Sequence, residues 1–363
     1  MLDSLELRDL YRRLSATPVA TVFLDGSQRD PAQRTAWRRA YQSECDHLLS
    51  RLKLTRPADA AAAEASLKHI GESLRPHEGF LPSPSWVGVA SPERLEWAEQ
   101  IPIPFDLSVN WGTGPLVTPY LPVVGLADSL LMVVVDHTRG DLYAHKKGEL
   151  TLKDTFEVEE TFEAPVGVGV IKSAGGTTGF RGFPAKDDAQ GALAADRERM
   201  FEAVRAGISR RAGEDRWILV CAPPDVKTSL SRGLGPDLQT RVLDGGSPDF
   251  SLSESDRLGL ARDAIRQARQ RRDRALLDQI LNDLGPGGRG VTGRQDTLKA
   301  LSQDAAGALL VSETMVRTEA HAVEPFVREA LRSGADVRLC DGTAGDLLMQ
   351  KGQGFAGQLR FAI

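Results

Sequence analysis

The stretch with the clearest chemical potential spans residues 171–186 and reads I-K-S-A-G-G-T-T-G-F-R-G-F-P-A-K. Its glycines would let the backbone approach another molecule closely, and a helical pattern follows, so a helix N-terminus would lie beside it. Lysine and arginine bind phosphate, and phenylalanine rings stack on bases. We therefore predict a nucleic-acid-binding loop, with an ordinary surface loop as the alternative. The residues expected to bind are Lys172, Gly175, Gly176, Thr177, Thr178, Gly179, Phe180, Arg181 and Lys186.

A second basic segment lies in a long helix predicted over residues 252–284. Arg262, Arg266 and Arg269 lie within this helix and could contact RNA phosphates, although an arginine run is more often a solvated face. An apolar stripe is expected to pack the helix against the protein. Its residues are Leu258, Ala261, Ile265, Ala268, Ala275, Leu276 and Ile280.

Asp136 and His137 form the pair most like a catalytic site, because they end a predicted strand, where α/β sheets often carry functional groups. The serine elbow G-x-S-x-G is absent and T-R-G follows as a turn, so we assign His137 a structural role. The six histidines lack the spacings H-x-x-x-H and H-x-x-E-H, and no Walker loop occurs, so neither a metal nor a cofactor is predicted. The spacing G-x-G-x-x-G at residues 352–357 precedes a strand, which is the wrong context for a dinucleotide site.

The composition is typical of a globular protein, with 41% hydrophobic residues and no apolar run near the ~20 residues of a membrane span. A length of 363 residues suggests two or three domains. The net charge of −5 argues against a protein that coats nucleic acid with its whole surface, yet permits a local basic patch. Three widely spaced cysteines without a C-x-x-C pair, and an acidic N-terminus without a signal-peptide pattern, predict a reduced cytoplasmic protein.

Alternating strand and helix patterns place these residues in an α/β framework. The predicted domains are an N-terminal α+β domain (1–127), a middle domain with the glycine-rich loop 172–186 (128–247), and a C-terminal domain that begins with the arginine-rich helix (248–363). Four further predictions concern helices at 31–54 and 57–74, a proline-rich extended connection at 101–122 and a last strand at 359–363.

In this order the parts resemble the archaeal and eukaryotic peptide chain release factor family, which includes Pelota. The resemblance is carried by V-V-V-D-H-T-R-G-D-L-Y, the glycine-rich loop, W-I-L-V-C-A-P-P, the arginine-rich helix and L-L-V-S-E-T. With V-A-T-V-F-L-D-G-S near the start, the sequence is most similar to the bacterial branch that contains the hibernation factor Balon. The resemblance implies an RNase H-like middle domain and an L7Ae-like α/β sandwich as the C-terminal domain.

The resemblance also assigns a role to the glycine-rich loop. In release factors of the family this loop carries Gly-Gly-Gln, whose glutamine directs hydrolysis of peptidyl-tRNA at the ribosomal peptidyl transferase centre. Here Thr177 follows Gly175 and Gly176, and a threonine hydroxyl lacks the paired donor and acceptor of a carboxamide. The departure argues against hydrolysis. It resembles Pelota and Balon, whose loops also lack the hydrolytic motif although the proteins occupy the ribosomal A site.

Three functions follow as hypotheses. The first is a non-hydrolytic translation factor in the A site of idle or stalled ribosomes, acting in hibernation or rescue. Its partners would be 23S rRNA near the peptidyl transferase centre and an elongation-factor GTPase, with no DNA or membrane. The second is a peptidyl-tRNA hydrolase in which Thr177, Thr178 or the Gly176 backbone replaces the glutamine. The third is a stress-related adaptor without ribosome contact. We prefer the first and assign no catalytic residue.

Overall fold

A computed structural model describes residues 1–158, 184–213 and 217–361, with residues 184–192 described by their helical backbone alone. Within these ranges the chain forms three β-sheets flanked by helices, which confirms the mixed α/β class predicted from the sequence. None of the helices in the described ranges has the length and apolar character that a membrane span requires.

The helices and strands are numbered in chain order. The helices are α1 (Ser4–Leu14), α2 (Ala36–Thr55), α3 (Pro57–Leu74), α4 (Leu121–Val124), α5 (Pro184–Arg211), α6 (Pro224–Gly233), α7 (Pro236–Gln239), α8 (Glu254–Asn282), α9 (Arg294–Ser302), α10 (Glu313–Thr318), α11 (Ala320–Ser333) and α12 (Gly342–Gly352). The strands are β1 (Pro18–Asp25), β2 (Ser85–Ala90), β3 (Leu95–Ile101), β4 (Ser108–Thr113), β5 (Leu130–Val135), β6 (Arg139–Lys146), β7 (Glu149–Glu157), β8 (Trp217–Cys221), β9 (Val242–Asp244), β10 (Gly290–Thr292), β11 (Ala306–Ser312), β12 (Asp336–Cys340) and β13 (Phe355–Leu359).

The chain divides into two compact units. The first unit combines Met1–Ala127 with Arg266–Ile363, and the second unit is Asp128–Ile265. Each of the three predicted domains carries one of the sheets, while the compact units join the first domain to most of the last. The three-domain division itself stays a prediction.

The N-terminal sheet of the first unit is antiparallel, with strand order β3-β2-β1-β4. Alternate residues of β1 point to opposite faces of the sheet. Ala20, Val22 and Leu24 pack against α2 and α3, whereas Phe23 lies in a different core. The sheet is therefore covered on both faces, which explains why β1 reads as a continuous apolar run.

A shared core joins the two segments of the first unit. Phe23 and Tyr120 belong to the same hydrophobic cluster as Phe326 and Phe355, whose rings stack with centroids 4.0 Å apart. The C-terminal sheet beneath them has the order β10-β13-β11-β12, with only β11 and β12 parallel. Because one core contains side chains from both segments, they form one packed body.

The second unit is built around β5, whose six residues are all buried. Its sheet has the order β7-β6-β5-β8-β9, with β5 to β7 antiparallel and β8 and β9 parallel to β5. Leu131, Val133 and Val135 pack toward α5 and α6. The alternate residues face Ala261 and Ile265 of α8. Because both faces of β5 are covered, none of its side chains faces water, which accounts for the apolar run L-L-M-V-V-V.

Several predicted elements have different bounds in the structure. The helix predicted at 31–54 begins only at Ala36, because Asp30 caps a separate 3-10 turn at Pro31–Gln33. The extended connection predicted at 101–122 contains β4, which pairs with β1. Pro104 and Pro115 bound a proline-free stretch that is long enough for this strand.

The last strand and the apolar stripe of α8 also differ from their predictions. The last strand of the described residues is β13, which ends at Leu359, where a strand was expected to begin. On α8, Ala275 is exposed and Leu277 is fully buried. The buried face of α8 includes the carboxylate of Asp273, which is only 2% exposed and pairs with Arg338 of β12. This pairing places Leu277, and not Ala275, on the buried face.

Gly259 is an exposed residue inside α8, and its substitution tests the helical backbone at this position. A methyl group at this position would meet no atom within 4 Å. Gly259→Ala is expected to raise the free energy of unfolding by about 0.5–1 kcal/mol, because glycine loses more backbone freedom in a helix than alanine does. Urea denaturation followed by circular dichroism measures the change.

Gly290→Ala is the matched control, because the same methyl group there would lie 2.1 Å from the carbonyl oxygen of Ile280. This variant is expected to be less stable than the wild type. Stabilisation by both substitutions, or by neither, would contradict the described backbone at these two glycines.

Candidate functional site

The glycine-rich loop lies largely outside the described residues. Its predicted residues from Lys172 to Arg181 fall in the range 159–183, and Lys186 lies on α5, where only the backbone is described. The flanking elements are described: β7 is an edge strand of its sheet and ends at Glu157, and α5 begins at Pro184. Proline suits the first turn of a helix. The nucleic-acid-binding role of the loop stays a prediction.

Arg262, the first of the candidate arginines on α8, is partly held within the second unit. Its Nη2 donates a hydrogen bond to the carbonyl oxygen of Gly148 at 3.3 Å, in the turn between β6 and β7. The side chain is half-buried, and its charge acts on the neighbouring His145. Arg262 therefore helps to attach α8 to the sheet.

Arg266 and Arg269 lie in the first unit and differ in exposure. Arg266 is exposed, whereas Arg269 is half-buried against the backbone of Gly125. A Cβ on Gly125 would lie only 1.1 Å from Nη1 of Arg269, so the guanidinium occupies the space that glycine leaves. Of the three candidate arginines, Arg266 is exposed, and Arg262 and Arg269 are half-buried.

The other arginines of the run are partly balanced by carboxylates on the same helix. Arg274 Nε lies 3.0 Å from Asp278, and Arg272 Nε lies 3.3 Å from Asp273. The Arg274–Asp278 pair, four residues apart, is typical of a solvated helix face, whereas Asp273 is buried. The local positive charge of α8 is thus smaller than the number of its arginines suggests.

The catalysis-like pair Asp136 and His137 has a structural environment. Asp136 Oδ1 accepts hydrogen bonds from the amides of Thr138 and Arg139 at 2.7 and 2.8 Å, which form the turn between β5 and β6. Burial opposes ionisation of this carboxyl, but these hydrogen bonds outweigh it and lower the pKa of Asp136. His137 Nε2 lies 3.0 Å from Asp225 at the start of α6. The structural role of His137 stays a prediction.

Sequence reasoning missed the polar face of β6. Asp141 is 1% exposed, and its carboxylate accepts hydrogen bonds from Arg139 Nε and Nη2, from Tyr143 Oη at 3.2 Å and from Thr155 Oγ1 at 3.0 Å. Alternate residues of a strand share a face, so Arg139, Asp141, Tyr143 and His145 line up. The signal was an acid at an inward-facing position of the strand, in the motif G-D-L-Y.

The three cysteines are free and buried. Burial raises the pKa of Cys45 and Cys221 to about 11 and that of Cys340 to about 12, so these thiols stay protonated at neutral pH and are poor nucleophiles. In the part of the chain that the structure describes, no cluster of His, Cys, Asp and Glu is arranged to hold a metal ion.

His145 is the buried histidine at the end of the same polar face. It is 1% exposed, and its Nδ1 lies 3.1 Å from the carbonyl oxygen of Asp128, to which it donates a hydrogen bond in the matching tautomer. Burial lowers the pKa of His145, the charge of Arg262 acts in the same direction, and the hydrogen bond opposes both. The folded protein therefore holds this imidazole in its neutral form.

The buried His145 predicts that stability depends on pH in the weakly acidic range. Because its pKa is lower in the folded state than the unfolded value of about 6.5, the unfolded chain binds the extra proton first. The free energy of unfolding should fall as the pH drops below about 6.5, and it should fall less in His145→Gln. Urea denaturation between pH 5 and 7.5, above the range where carboxylates titrate, measures both slopes. Equal slopes in the two proteins would contradict a neutral buried His145.

Comparisons with known proteins return structural similarities only. No protein-family model and no curated protein sequence matches this chain. Solved structures to which it is similar include Pelota of Archaeoglobus fulgidus, at 15% identity and TM-score 0.38, covering 66% of each chain, just under two thirds. They also include Dom34 of S. cerevisiae, a translation termination-like factor that interacts with Hbs1, at 13% identity and TM-score 0.40, covering 64% of this chain and 63% of Dom34.

A third similarity extends over the whole chain. The ribosome-bound archaeal Pelota described together with ABCE1 is 12% identical, with a TM-score of 0.45, and the match covers 100% of this chain and 96% of that one. Each of these is a protein that this chain is similar to.

Proposed function

We propose that this protein is a ribosome-binding translation factor of the release-factor and Pelota type that does not hydrolyse peptidyl-tRNA. It would act in the cytoplasm, in the A site of idle or stalled ribosomes, in hibernation or rescue. The glycine-rich loop would reach 23S rRNA near the peptidyl transferase centre, and an elongation-factor GTPase would deliver the protein.

The observation that carries the proposal is Thr177 directly after Gly175 and Gly176. The pair of glycines keeps the backbone permissive, and Lys172 and Arg181 supply charge for RNA phosphates. The carboxamide that would direct water onto an ester is missing. Among the described residues, Asp136 holds a turn, His137 contacts Asp225, and the thiols are buried and protonated.

Cosedimentation with purified 70S ribosomes over a salt series tests binding. The wild type should sediment with ribosomes at moderate salt, and the logarithm of its affinity should fall linearly with the logarithm of the salt concentration. The double variant Lys172→Gln and Arg181→Gln should bind about tenfold or more weakly. Its salt slope should be shallower by about one for each phosphate that is no longer neutralised.

The matched control removes two positive charges elsewhere, with Arg317→Gln and Lys351→Gln, both of which are exposed. This control should retain most of the binding and the salt slope. Failure of the wild type to bind ribosomes, with and without an elongation-factor GTPase, would leave the adaptor hypothesis as the better one. Equal weakening of binding in both double variants would remove the loop from the proposal.

Peptide release separates the proposed factor from a peptidyl-tRNA hydrolase. Ribosomes carrying labelled peptidyl-tRNA should release no peptide above background when the wild type is added at saturating concentration. Release that is abolished by Gly176→Ala or Thr177→Ala would instead establish hydrolysis at the loop. Release that persists in both variants would place the activity outside the loop.

A further inference from the structure

The edge strand β4 of the first unit lacks the features that usually protect a sheet edge. It lies at the end of its sheet and pairs with β1 in an unbroken register. Its sequence, S-V-N-W-G-T, contains no charged residue and no proline. Natural proteins usually protect an edge with charged side chains, proline, a bulge or a very short strand. By these criteria β4 is an open edge.

The other edge strands of the described sheets are protected. β3 and β7 carry carboxylates and have irregular registers, and β12 contains Asp336 and Arg338. β9 and β10 have only 3 residues each. In the described part of the chain, β1 is the one strand that pairs with β4, and no other segment forms a hydrogen bond with the β4 backbone. The outward amides and carbonyls of β4 are therefore available to a further strand.

A cavity of about 680 Å³ lies beside β4, between the N-terminal sheet and the helices α9 and α11. Successive side chains of a strand point to opposite faces. The Trp111 side chain packs with the core under α2 and α3, so Trp111 borders the cavity through its backbone, whereas Asn110 and Gly112 face the cavity. The volume is within the range of binding sites, roughly 300–1,000 Å³. It is large enough to accept side chains of an added strand.

Gly112 leaves space directly over β4. A Cβ at this position would meet no atom within 4 Å. The cavity wall contributed by the connection after β4 and by the helices includes the apolar residues Leu116, Leu298 and Pro325. A bulky apolar side chain placed over Gly112 would therefore contact apolar surface.

The charged groups at the cavity wall are paired within the protein. Glu324 Oε1 accepts a hydrogen bond from Arg328 Nε at 2.9 Å, and Glu329 Oε2 accepts one from Arg332 Nε at 2.8 Å. β4 itself carries no charge. Because burial of an unpaired charge is costly, this surface complements an uncharged segment better than an anion or a cation.

We propose that β4 binds an extended, uncharged peptide segment of a partner protein, which adds a fifth strand to the four-stranded N-terminal sheet. Hydrogen bonds between the two backbones would provide the affinity, and apolar side chains at alternate positions, entering the cavity over Gly112, would provide the specificity. The site is independent of the ribosome-binding proposal, since none of its residues belongs to the glycine-rich loop or to α8.

Fluorescence anisotropy of the full chain with the labelled peptide G-T-V-T-V-T-V-G tests the proposal. This peptide should bind with a dissociation constant below about 1 mM. Two further peptides are N-methylated, one at its valines and the other at its threonines. The amides of alternate residues point to opposite edges of a strand, so one methylated peptide should bind like the parent and the other about tenfold or more weakly.

Variants of the protein assign the binding to β4. Gly112→Val fills the space over the strand and should retain the thermal stability of the wild type, because its Cβ meets no atom within 4 Å. Asn110→Lys places a charge at the open edge. Each should weaken peptide binding about tenfold or more. Gly235→Val is the matched control: it lies in the second unit, has an extended backbone and equally open surroundings, and should leave the affinity unchanged.

Four results would overturn the proposal. The first is no binding of the unmethylated peptide at about 1 mM. The second is equal affinity of the two methylated peptides, which would exclude pairing of backbones. The third is wild-type affinity in both Gly112→Val and Asn110→Lys. The fourth is a dimer of the free wild type, seen by sedimentation velocity, that Gly112→Val dissociates, because a second copy would then occupy the edge. If Gly112→Val lowers the thermal stability, Asn110→Lys and the methylated peptides decide the outcome.

Discussion

Glu324→Ala is expected to lower the free energy of unfolding of the first unit by about 3 kcal/mol. Glu324 is 6% exposed and holds Thr118, which lies 206 positions earlier in the chain, through two hydrogen bonds to one carboxylate oxygen. Removing the carboxylate leaves the Thr118 amide and hydroxyl, both buried, without an acceptor. It also leaves the charge of Arg328 without its partner.

A graded series separates the hydrogen bonds from the charge. Glu324→Gln keeps one acceptor oxygen for Thr118 and should cost less than Glu324→Ala. Glu329→Ala removes an acid from the same helix whose side chain is 33% exposed, and it should cost less than about 1 kcal/mol. Urea denaturation gives the free energies, and hydrogen exchange of residues 114–124 shows where protection is lost. Equal effects of Glu324→Ala and Glu329→Ala would mean that Thr118 is not anchored by the buried carboxylate.

The sequence pattern predicted correctly those elements whose buried positions are all apolar or small residues. The strand 130–135 and the helix Pro57–Leu74 were predicted with the bounds that the structure shows. Both are recognisable locally: the strand is apolar on both faces, and the helix begins at a proline and is rich in alanine. The same reasoning placed Asp136 and His137 directly after their strand.

Several of the features that sequence reasoning missed depend on pairs that are distant in the chain. Asp273 occupies a buried position of α8 because Arg338 reaches it from β12, and an apolar stripe cannot reveal such a partner. The same holds for Thr118 with Glu324, and for β4, whose only signal was a gap between two prolines. The binding residues of the glycine-rich loop rest on residue type and on resemblance, and they remain predictions.

Contacts within one segment of the second unit change its functional interpretation. The segment D-H-T-R-G-D-L-Y carries much of the resemblance to the release factor family, and it has the acids and the histidine expected of a catalytic site. In the structure its polar side chains contact one another: Asp136 closes a turn, and Asp141 gathers Arg139 and Tyr143. These polar residues therefore hold the turn and the sheet together.

Asp141→Ala is expected to lower the free energy of unfolding of the second unit by about 3 kcal/mol without affecting the first unit. Its carboxylate has 2% of its surface exposed and accepts four hydrogen bonds, two of them from the guanidinium of Arg139. The substitution leaves the hydroxyls of Tyr143 and Thr155 without this acceptor. The fluorescence of Trp217, next to Leu130 in the register of β8 with β5, follows unfolding of this unit once the other tryptophans are replaced by phenylalanine.

Asp141→Asn and Asp237→Ala complete the experiment. The asparagine would keep the shape of the side chain but turn an amide donor toward the surrounding donors, so Asp141→Asn should be intermediate in stability. Asp237 also pairs with an arginine, Arg241, but 89% of its side chain is exposed, and Asp237→Ala should produce no measurable change. If the motif served chemistry and not folding, Asp141→Ala would instead retain wild-type stability. A stable Asp141→Ala protein that no longer sediments with ribosomes would show that this face of β6 acts in binding.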